Sequence, residues 1–155
     1  MRRQLSDKQI VLTGASSGIG RAIAIQLVQA GNQVLALARR QDRLEILAEE
    51  LKDASGTLQF LAGDITDLQF RQTTVDWVEQ HWQSRVDVLI NNAGITGPTE
   101  PLWKYDVEMW NKIVQINLMG TFNCCRAIVP VSYTHLRAHE TREDRVLRRV
   151  REKKK

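Results

Sequence analysis

The run Thr13-Gly14-Ala15-Ser16-Ser17-Gly18-Ile19-Gly20 constrains the fold more tightly than any other part of the chain. An apolar stretch, Ile10, Val11 and Leu12, precedes it, and an amphipathic stretch follows with Ile19, Ala22, Ile23, Leu27 and Ala30 at helical spacing. A strand that turns through glycines into a helix brings bare backbone N–H groups and the positive end of a helix dipole to one point. That point is a cradle for a phosphate anion. Glycine serves there because a side chain would block close approach of the backbone or force a disallowed φ. Glycine-rich turns are common punctuation, and the strand–turn–helix setting is what gives this one meaning.

The alternation continues along the chain. Ile10–Thr13 reads as a first strand, Gly18–Ala30 as a helix ending at Gly31, and Gln33–Ala38 as a second strand. Arg43–Asp53 carries Leu44, Leu47, Ala48 and Leu51 on one helical face, and Thr57–Ala62 reads as a third strand. Leu68–Trp82 is a helix with Phe70, Trp77 and Val78 facing inward; Val86–Ile90 is a fourth strand, bounded by Asn91-Asn92-Ala93-Gly94. Asp106–Val129 is expected to be one long helix with an apolar stripe of Val107, Trp110, Val114, Leu118 and Phe122. Strands alternating with helices of this length imply an α/β fold, a Rossmann-type doubly wound parallel sheet. Right-handed crossovers give its four strands the order 3-2-1-4. No internal repeat or linker is visible.

A length of 155 residues and a hydrophobic content of 43% fit one soluble domain with room for a core. No apolar run is long enough to span a bilayer, which argues against a membrane partner. The opening Met1-Arg2-Arg3-Gln4-Leu5-Ser6-Asp7 has no apolar signal core, so a cytoplasmic location is expected. Cys124 and Cys125 are adjacent, which is poor geometry for pairing with each other, and reduced thiols are expected. The net charge of +4 is unevenly spread: residues 131–155 hold 9 of the 22 basic and 4 of the 18 acidic side chains. Residues 1–130 therefore carry 13 basic and 14 acidic groups, about neutral, and the high pI comes from the last stretch.

The motifs come in an order that resembles the short-chain dehydrogenase/reductase family. Thr13–Gly20 matches its TGxxxGxG motif, Asp64 in Gly63-Asp64-Ile65-Thr66 and the NNAG run Asn91–Gly94 match the next two, and Asn117 falls where the family keeps a catalytic asparagine. The resemblance covers almost all of residues 7–130. It implies that Gly14, Ser16, Ser17, Gly18, Ile19 and Gly20 hold the pyrophosphate and adjoining ribose of a nicotinamide dinucleotide. It further implies that Asp64 and Ile65 meet the adenine, and that Asn91, Ala93 and Gly94 line the cleft beside the nicotinamide-side ribose. These residues fall at the carboxyl ends of strands, where open α/β sheets bind ligands. Taken alone, Asp64 reads more readily as a loop carboxylate capping the next helix, and Asn91 and Asn92 as turn residues.

Cofactor choice turns on the end of the second strand. A carboxylate there would accept bonds from a ribose 2′-hydroxyl, but the chain reads Leu37-Ala38-Arg39-Arg40. Guanidinium groups clamp phosphate with paired, charge-assisted bonds, so NADP(H) is favoured, with Arg39 the main contact and Arg40 a second. NAD is the alternative, with the arginines merely solvating the start of the helix. Asn117 is in mid-helix, a position asparagine does not favour, and its turn-neighbours Ile113, Val114 and Thr121 suggest an inward face where its amide needs partners. The resemblance implies that it positions a water relaying protons to a lysine.

The family pattern stops after Asn117. Its chemistry uses a serine, a tyrosine and a lysine four residues after the tyrosine, on a further strand and helix. Ser132-Tyr133 followed by Arg137 imitates the spacing but comes too soon, with no strand between, and arginine cannot stand in for lysine. The segment from Val131 to Thr141 resembles an in-frame translation of sequencing-adapter DNA, and 131–155 is expected to be an artefactual, non-native tail. His135 and His139 lack a third ligand for metal, and the basic run is no sign of nucleic acid. Residues 1–130 are then expected to be a NAD(P)-binding Rossmann half-domain with the later strands missing. The implied parent interconverts an alcohol and a carbonyl by hydride transfer and is a homo-oligomer. Its small-molecule chemistry would be 3-oxoacyl-carrier-protein reductase-like or sugar dehydrogenase-like, from the look of Gly97–Trp103 and Trp110. The 155-residue chain itself is expected to be inactive; the alternative is a non-catalytic dinucleotide-binding module.

Overall fold

The computed structural model describes the backbone of residues 5–136 and the side chains of residues 5–132. Expectations that fall on Arg137, on His139 and on the rest of the basic tail lie outside the described residues, as do the side chains of Tyr133 and His135. The chain runs β1 (Gln9–Thr13), α1 (Gly18–Gln29), β2 (Gln33–Ala38), α2 (Gln41–Glu50), β3 (Thr57–Ala62), α3 (Leu68–Trp82) and β4 (Val88–Ile90). A short 3-10 turn (Leu102–Lys104) leads to α4 (Val107–Ile113), a π-helical segment (Val114–Gly120) and α5 (Thr121–Leu136). The four strands form one parallel sheet in the expected order β3-β2-β1-β4.

The period of two along β1 and β2 sends alternate side chains to opposite faces. Ile10, Leu12, Val34 and Ala36 pack with Ala24 and Val28 of α1 and with Leu44 and Leu47 of α2. Val11, Leu35 and Leu37 pack on the other face with Val78 and Trp82 of α3 and Ile128 of α5. Each large apolar side chain removed from water is worth about 1.5–3 kcal/mol, and β1 and β2 are apolar on both faces. They therefore carry the core, while β3 is only half-buried along its length.

Several boundaries differ from expectation: β1 begins at Gln9 rather than Ile10, α1 ends at Gln29 rather than Ala30, and α2 runs Gln41–Glu50 rather than Arg43–Asp53. β4 begins at Val88 rather than Val86 because the Asp87 carboxylate takes the Gln9 N–H (2.9 Å) and Arg85 pairs with Asp87, closing the ladder early. The expected single helix over 106–129 is interrupted by the π-helical turn. Its Val107, Trp110, Leu118 and Phe122 point to solvent, because no described element packs on that side. Finally, α5 continues through Pro130, which lacks the donor a helix interior needs. Packing overrides that cost: Ile128 and Ser132 are buried, Val131 packs against the α3 cluster, and the Ser132 hydroxyl donates to the Ile128 carbonyl at 3.2 Å. The helix thus crosses the residue 130/131 boundary expected from composition.

Candidate functional site

At the carboxyl ends of the strands lies a cleft of about 260 Å³. The turn after β1 contributes Gly14, Ser16, Ser17, Ile19 and Gly20, and the end of β2 contributes Arg39 and Arg40. The turn after β3 adds Asp64 and Ile65, and the segment after β4 adds Asn92, Ala93 and Gly94. Four turns distant in sequence meet here because parallel strands all end on the same side.

The cradle is shaped by close backbone contact. Gly14 has φ +72°, and a Cβ there would come within 2.8 Å of the Ala93 Cα. A Cβ on Gly20 would lie 2.2 Å from the Gly14 carbonyl oxygen and 2.4 Å from the Asn92 Nδ2. Asn92 is the bolt: its Nδ2 donates to the carbonyls of Thr13 (3.1 Å) and Gly14 (3.2 Å). The Thr13 hydroxyl completes the join, accepting from the Asn92 and Ala93 N–H groups at 3.0 Å each. Asn92 joins the expected Asn91, Ala93 and Gly94 as a site residue that the motif alone marks only as a turn residue. The signal for it was the buried threonine at the end of β1, which needs partners across the sheet. Ser17 caps α1 in extended conformation without a side-chain cap bond, so the first-turn N–H groups remain available to an anion.

The other expected site residues are distributed unevenly. Arg40 donates from Nε (3.2 Å) and Nη2 (3.0 Å) to the Ser16 hydroxyl and from Nη2 to the Ser17 hydroxyl (2.6 Å). Gly18 stands outside the cleft lining, at the exposed start of α1. Asn91 also lies behind the lining; its Nδ2 donates to the Cys125 sulfur at 3.3 Å, and its Oδ1 is buried without a hydrogen-bond partner. Asn117 sits in the π-helical segment with both ends of its amide bonded to one residue: Oδ1 accepts the Ile95 N–H and Nδ2 donates to the Ile95 carbonyl, both at 2.9 Å. The expected partners exist, but on an exposed rather than an inward face. Ile95 itself lines the cleft, so Asn117 reaches it through that residue.

Asp64 does not cap α3; Asp67 does, accepting from the Gln69 N–H at 2.9 Å. The Asp64 Oδ1 instead accepts from the Thr66 N–H (2.9 Å) and hydroxyl (2.8 Å). Burial pushes the Asp64 carboxyl up, but these two bonds and the nearby Arg39 charge outweigh it and hold the group below its ordinary value. Stability from this lowered group is complete above the ordinary carboxylate range of about 4 and is lost as pH falls through the folded value. Asp64→Asn is therefore expected to be less stable than the parent at pH 7, with the difference closing below about pH 4. Urea denaturation at the two pH values checks this, and a gap that widens in acid would contradict it. Burial likewise pushes the Cys124 thiol up to about 11, against a smaller opposing effect of Arg71, so it is an inert core group. Among the described residues, no cluster of side chains could hold a metal ion, and no helix is long and apolar enough to cross a membrane.

A doubly wound parallel sheet with a glycine-lined cleft at its strand ends is the dinucleotide-binding architecture. Comparison with known proteins narrows that class. The family model described as short chain dehydrogenase matches residues 8–138, and the chain belongs to that family. An uncharacterized oxidoreductase of Listeria innocua, Lin0452, is 34% identical over 126 residues, covering 81% of this chain and 50% of that protein. The NADP-dependent 3-hydroxy acid dehydrogenase YdfG of Shigella flexneri is 33% identical over 121 residues, covering 78% and 47% respectively. Among solved structures, L-sorbose reductase from Gluconobacter frateurii, complexed with NADPH and L-sorbose, superposes with a TM-score of 0.77 at 31% identity. That match covers 87% of this chain and 51% of the reductase. The chain spans about half the length of the curated relatives it matches.

Proposed function

We propose that the cleft binds NADP(H) and that residues 1–130 are the cofactor-binding half of an oxidoreductase interconverting an alcohol and a carbonyl compound. The observation that carries this reading is the pair Arg39 and Arg40 lining the cleft at the end of β2, with no carboxylate before Asp42. The cofactor, when bound, supplies the site that takes up or gives the hydride. The chain's residues bind and orient it. Gly14, Gly18 and Gly20 leave the backbone N–H groups of the turn open to a pyrophosphate, Ser16, Ser17 and Ile19 wall that turn, and the α1 dipole favours the negative charge. Asp64 and Ile65 are assigned the adenine, and Asn91, Ala93 and Gly94 the nicotinamide-side ribose, Asn91 from behind the lining. Asn117 holds both polar groups of the Ile95 backbone and so fixes the wall on the reacting side. The arginines prefer a 2′-phosphate, which supports NADP(H) over NAD.

A 3-oxoacyl-carrier-protein or a sugar is the proposed substrate of the parent. The relatives' names span 3-hydroxy acids, a 3β-hydroxysteroid and L-sorbose, of which the last supports the sugar alternative, and the exposed apolar stripe on α4 and α5 supports a homo-oligomeric parent. The tail from residue 131 is proposed to be foreign to the parent; the underlying genomic reading frame decides this. The 155-residue chain is expected to bind NADPH more tightly than NADH, by about tenfold or more, and to oxidise neither with carbonyl substrates. Fluorescence titration of both nucleotides, with an absorbance assay of their oxidation, checks this. Equal or tighter NADH binding would overturn the cofactor choice, and turnover above blank would overturn the inactivity of the chain.

A further inference from the structure

Between Ala93, whose N–H is bound by Thr13, and the turn at Pro101, the segment after β4 has no regular structure. Among the described residues, no backbone–backbone hydrogen bond holds residues 94–100. Side chains from the region that follows hold them instead. Asn117 binds both polar groups of Ile95, and a Cβ on Gly94 would meet the same amide at 3.2 Å. Two residues beyond Ile95, Tyr105 lies over Gly97. A Cβ on Gly97 would stand 1.8 Å from the Tyr105 hydroxyl oxygen, 3.0 Å from its Cζ and 2.8 Å from the Ile113 Cδ1. The φ of Gly97 is not positive, so its backbone does not call for glycine; the space taken by the phenol does. Tyr105 is itself well anchored. Its N–H donates to the Leu102 carbonyl at 3.2 Å, and the next residue, Asp106, caps α4 by accepting the Met109 N–H at 2.7 Å. Its ring meets Trp110 edge-on, with centroids 5.9 Å apart and planes at 84°.

We propose that Tyr105 is a positioning residue: its phenol, seated on Gly97, holds the segment after β4 against the cleft and, with Asn117, sets the wall that receives the nicotinamide end of the dinucleotide. Tyr105 stands outside the cleft lining and acts through Gly97 and Ile95, of which Ile95 lines the cleft. This rests on the NADP(H) reading above. One fastening at Ile95 leaves the segment free to pivot about that residue. A second fastening two residues on fixes its direction as well. A wall held in this way needs less ordering when the ligand arrives, and the nicotinamide half gains from that where the adenosine half does not.

The test compares NADPH with 2′,5′-ADP, which lacks the nicotinamide half, by calorimetry on the 155-residue chain. Gly97→Ala is expected to weaken NADPH binding about tenfold while 2′,5′-ADP stays within about twofold, because the new methyl drives the segment out from under the phenol. Tyr105→Phe removes the oxygen that this methyl would strike, leaving a ring carbon and the flexible tip of Ile113 as its neighbours. Adding Tyr105→Phe to Gly97→Ala should therefore restore about threefold of the lost NADPH affinity. Equal loss of both probes, unchanged NADPH affinity in Gly97→Ala, or no recovery in the double variant would each overturn the positioning role. Amide exchange at Ile95 in the nucleotide-free chain is a separate measure, and it decides the matter if Gly97→Ala does not fold. Tyr105→Ala should quicken that exchange about tenfold, and an unchanged rate would overturn the role. A parent chain that binds neither probe would overturn the NADP(H) reading, while exchange at Ile95 still decides whether Tyr105 holds the segment.

Discussion

Gly20→Ala is expected to destabilise the domain by about 3–5 kcal/mol and to remove measurable nucleotide binding. The added Cβ would sit 2.2 Å from the Gly14 carbonyl oxygen and 2.4 Å from the Asn92 Nδ2. Both are held in place: that amide donates to that carbonyl, and Gly14 in turn lies against the Ala93 backbone. Overpacking alone costs about 1–3 kcal/mol. Driving the Gly14 carbonyl off its partner adds about 1–3 kcal/mol for the unpaired group. A shift of this size lowers the melting temperature of a domain this long by on the order of 10 °C or more. Gly18→Ala provides the contrast. Its Cβ would meet nothing within 4 Å, so only the strain of φ +54° remains, about 1–2 kcal/mol. Thermal melts of both variants check the order, and a Gly20→Ala protein as stable as Gly18→Ala would overturn the crowding explanation.

That contrast also explains what could be read from the amino acids in advance. β2, β3 and α3 keep their expected bounds because β2 is an unbroken apolar run, β3 and α3 carry their own periodicity, and all three are closed by turn or cap residues. The glycine cradle was legible for the same local reason. Other features depend on partners far away in sequence. Nothing near Val86 announces that Asp87 will cap the ladder by binding Gln9 across the sheet, 78 residues away. The stripe Val107, Trp110, Leu118 and Phe122 is exposed before, within and after the π-helical segment Val114–Gly120, because no described element covers that side, which no local pattern announces. Asn117 was correctly expected to need partners, but only the folded backbone puts Ile95 within its reach. The two arginines were visible as a pair; their unequal tethering follows from the spatial position of Ser16 and Ser17.

The same distance in sequence makes Thr13 the second sensitive point of the site. It is 1% exposed, and its hydroxyl serves three backbone groups at the end of β4 and just after it. It accepts the Asn92 and Ala93 N–H groups at 3.0 Å and donates to the Ile90 carbonyl at 3.4 Å. Thr13→Val keeps the shape and the strand preference but has nothing to offer those groups. Two partly buried N–H groups then lose their acceptor, and a cost of about 2–3 kcal/mol is expected. The Asn92 side chain still binds the Thr13 and Gly14 carbonyls, so β4 stays paired and the damage concentrates in the segment after it. Ala93 and Gly94 line the cleft there, and nucleotide affinity should fall by about tenfold or more even where the fold survives. Thr13→Ser, which keeps the hydroxyl and loses only a methyl, should cost about 1 kcal/mol and leave binding nearly intact. Chemical denaturation gives the stability difference, and amide exchange at Asn92 and Ala93 reports the bonds directly. Protection unchanged in the valine variant would mean that another group satisfies these donors, and that the hydroxyl does not fasten β1 and β4 together at the cofactor end.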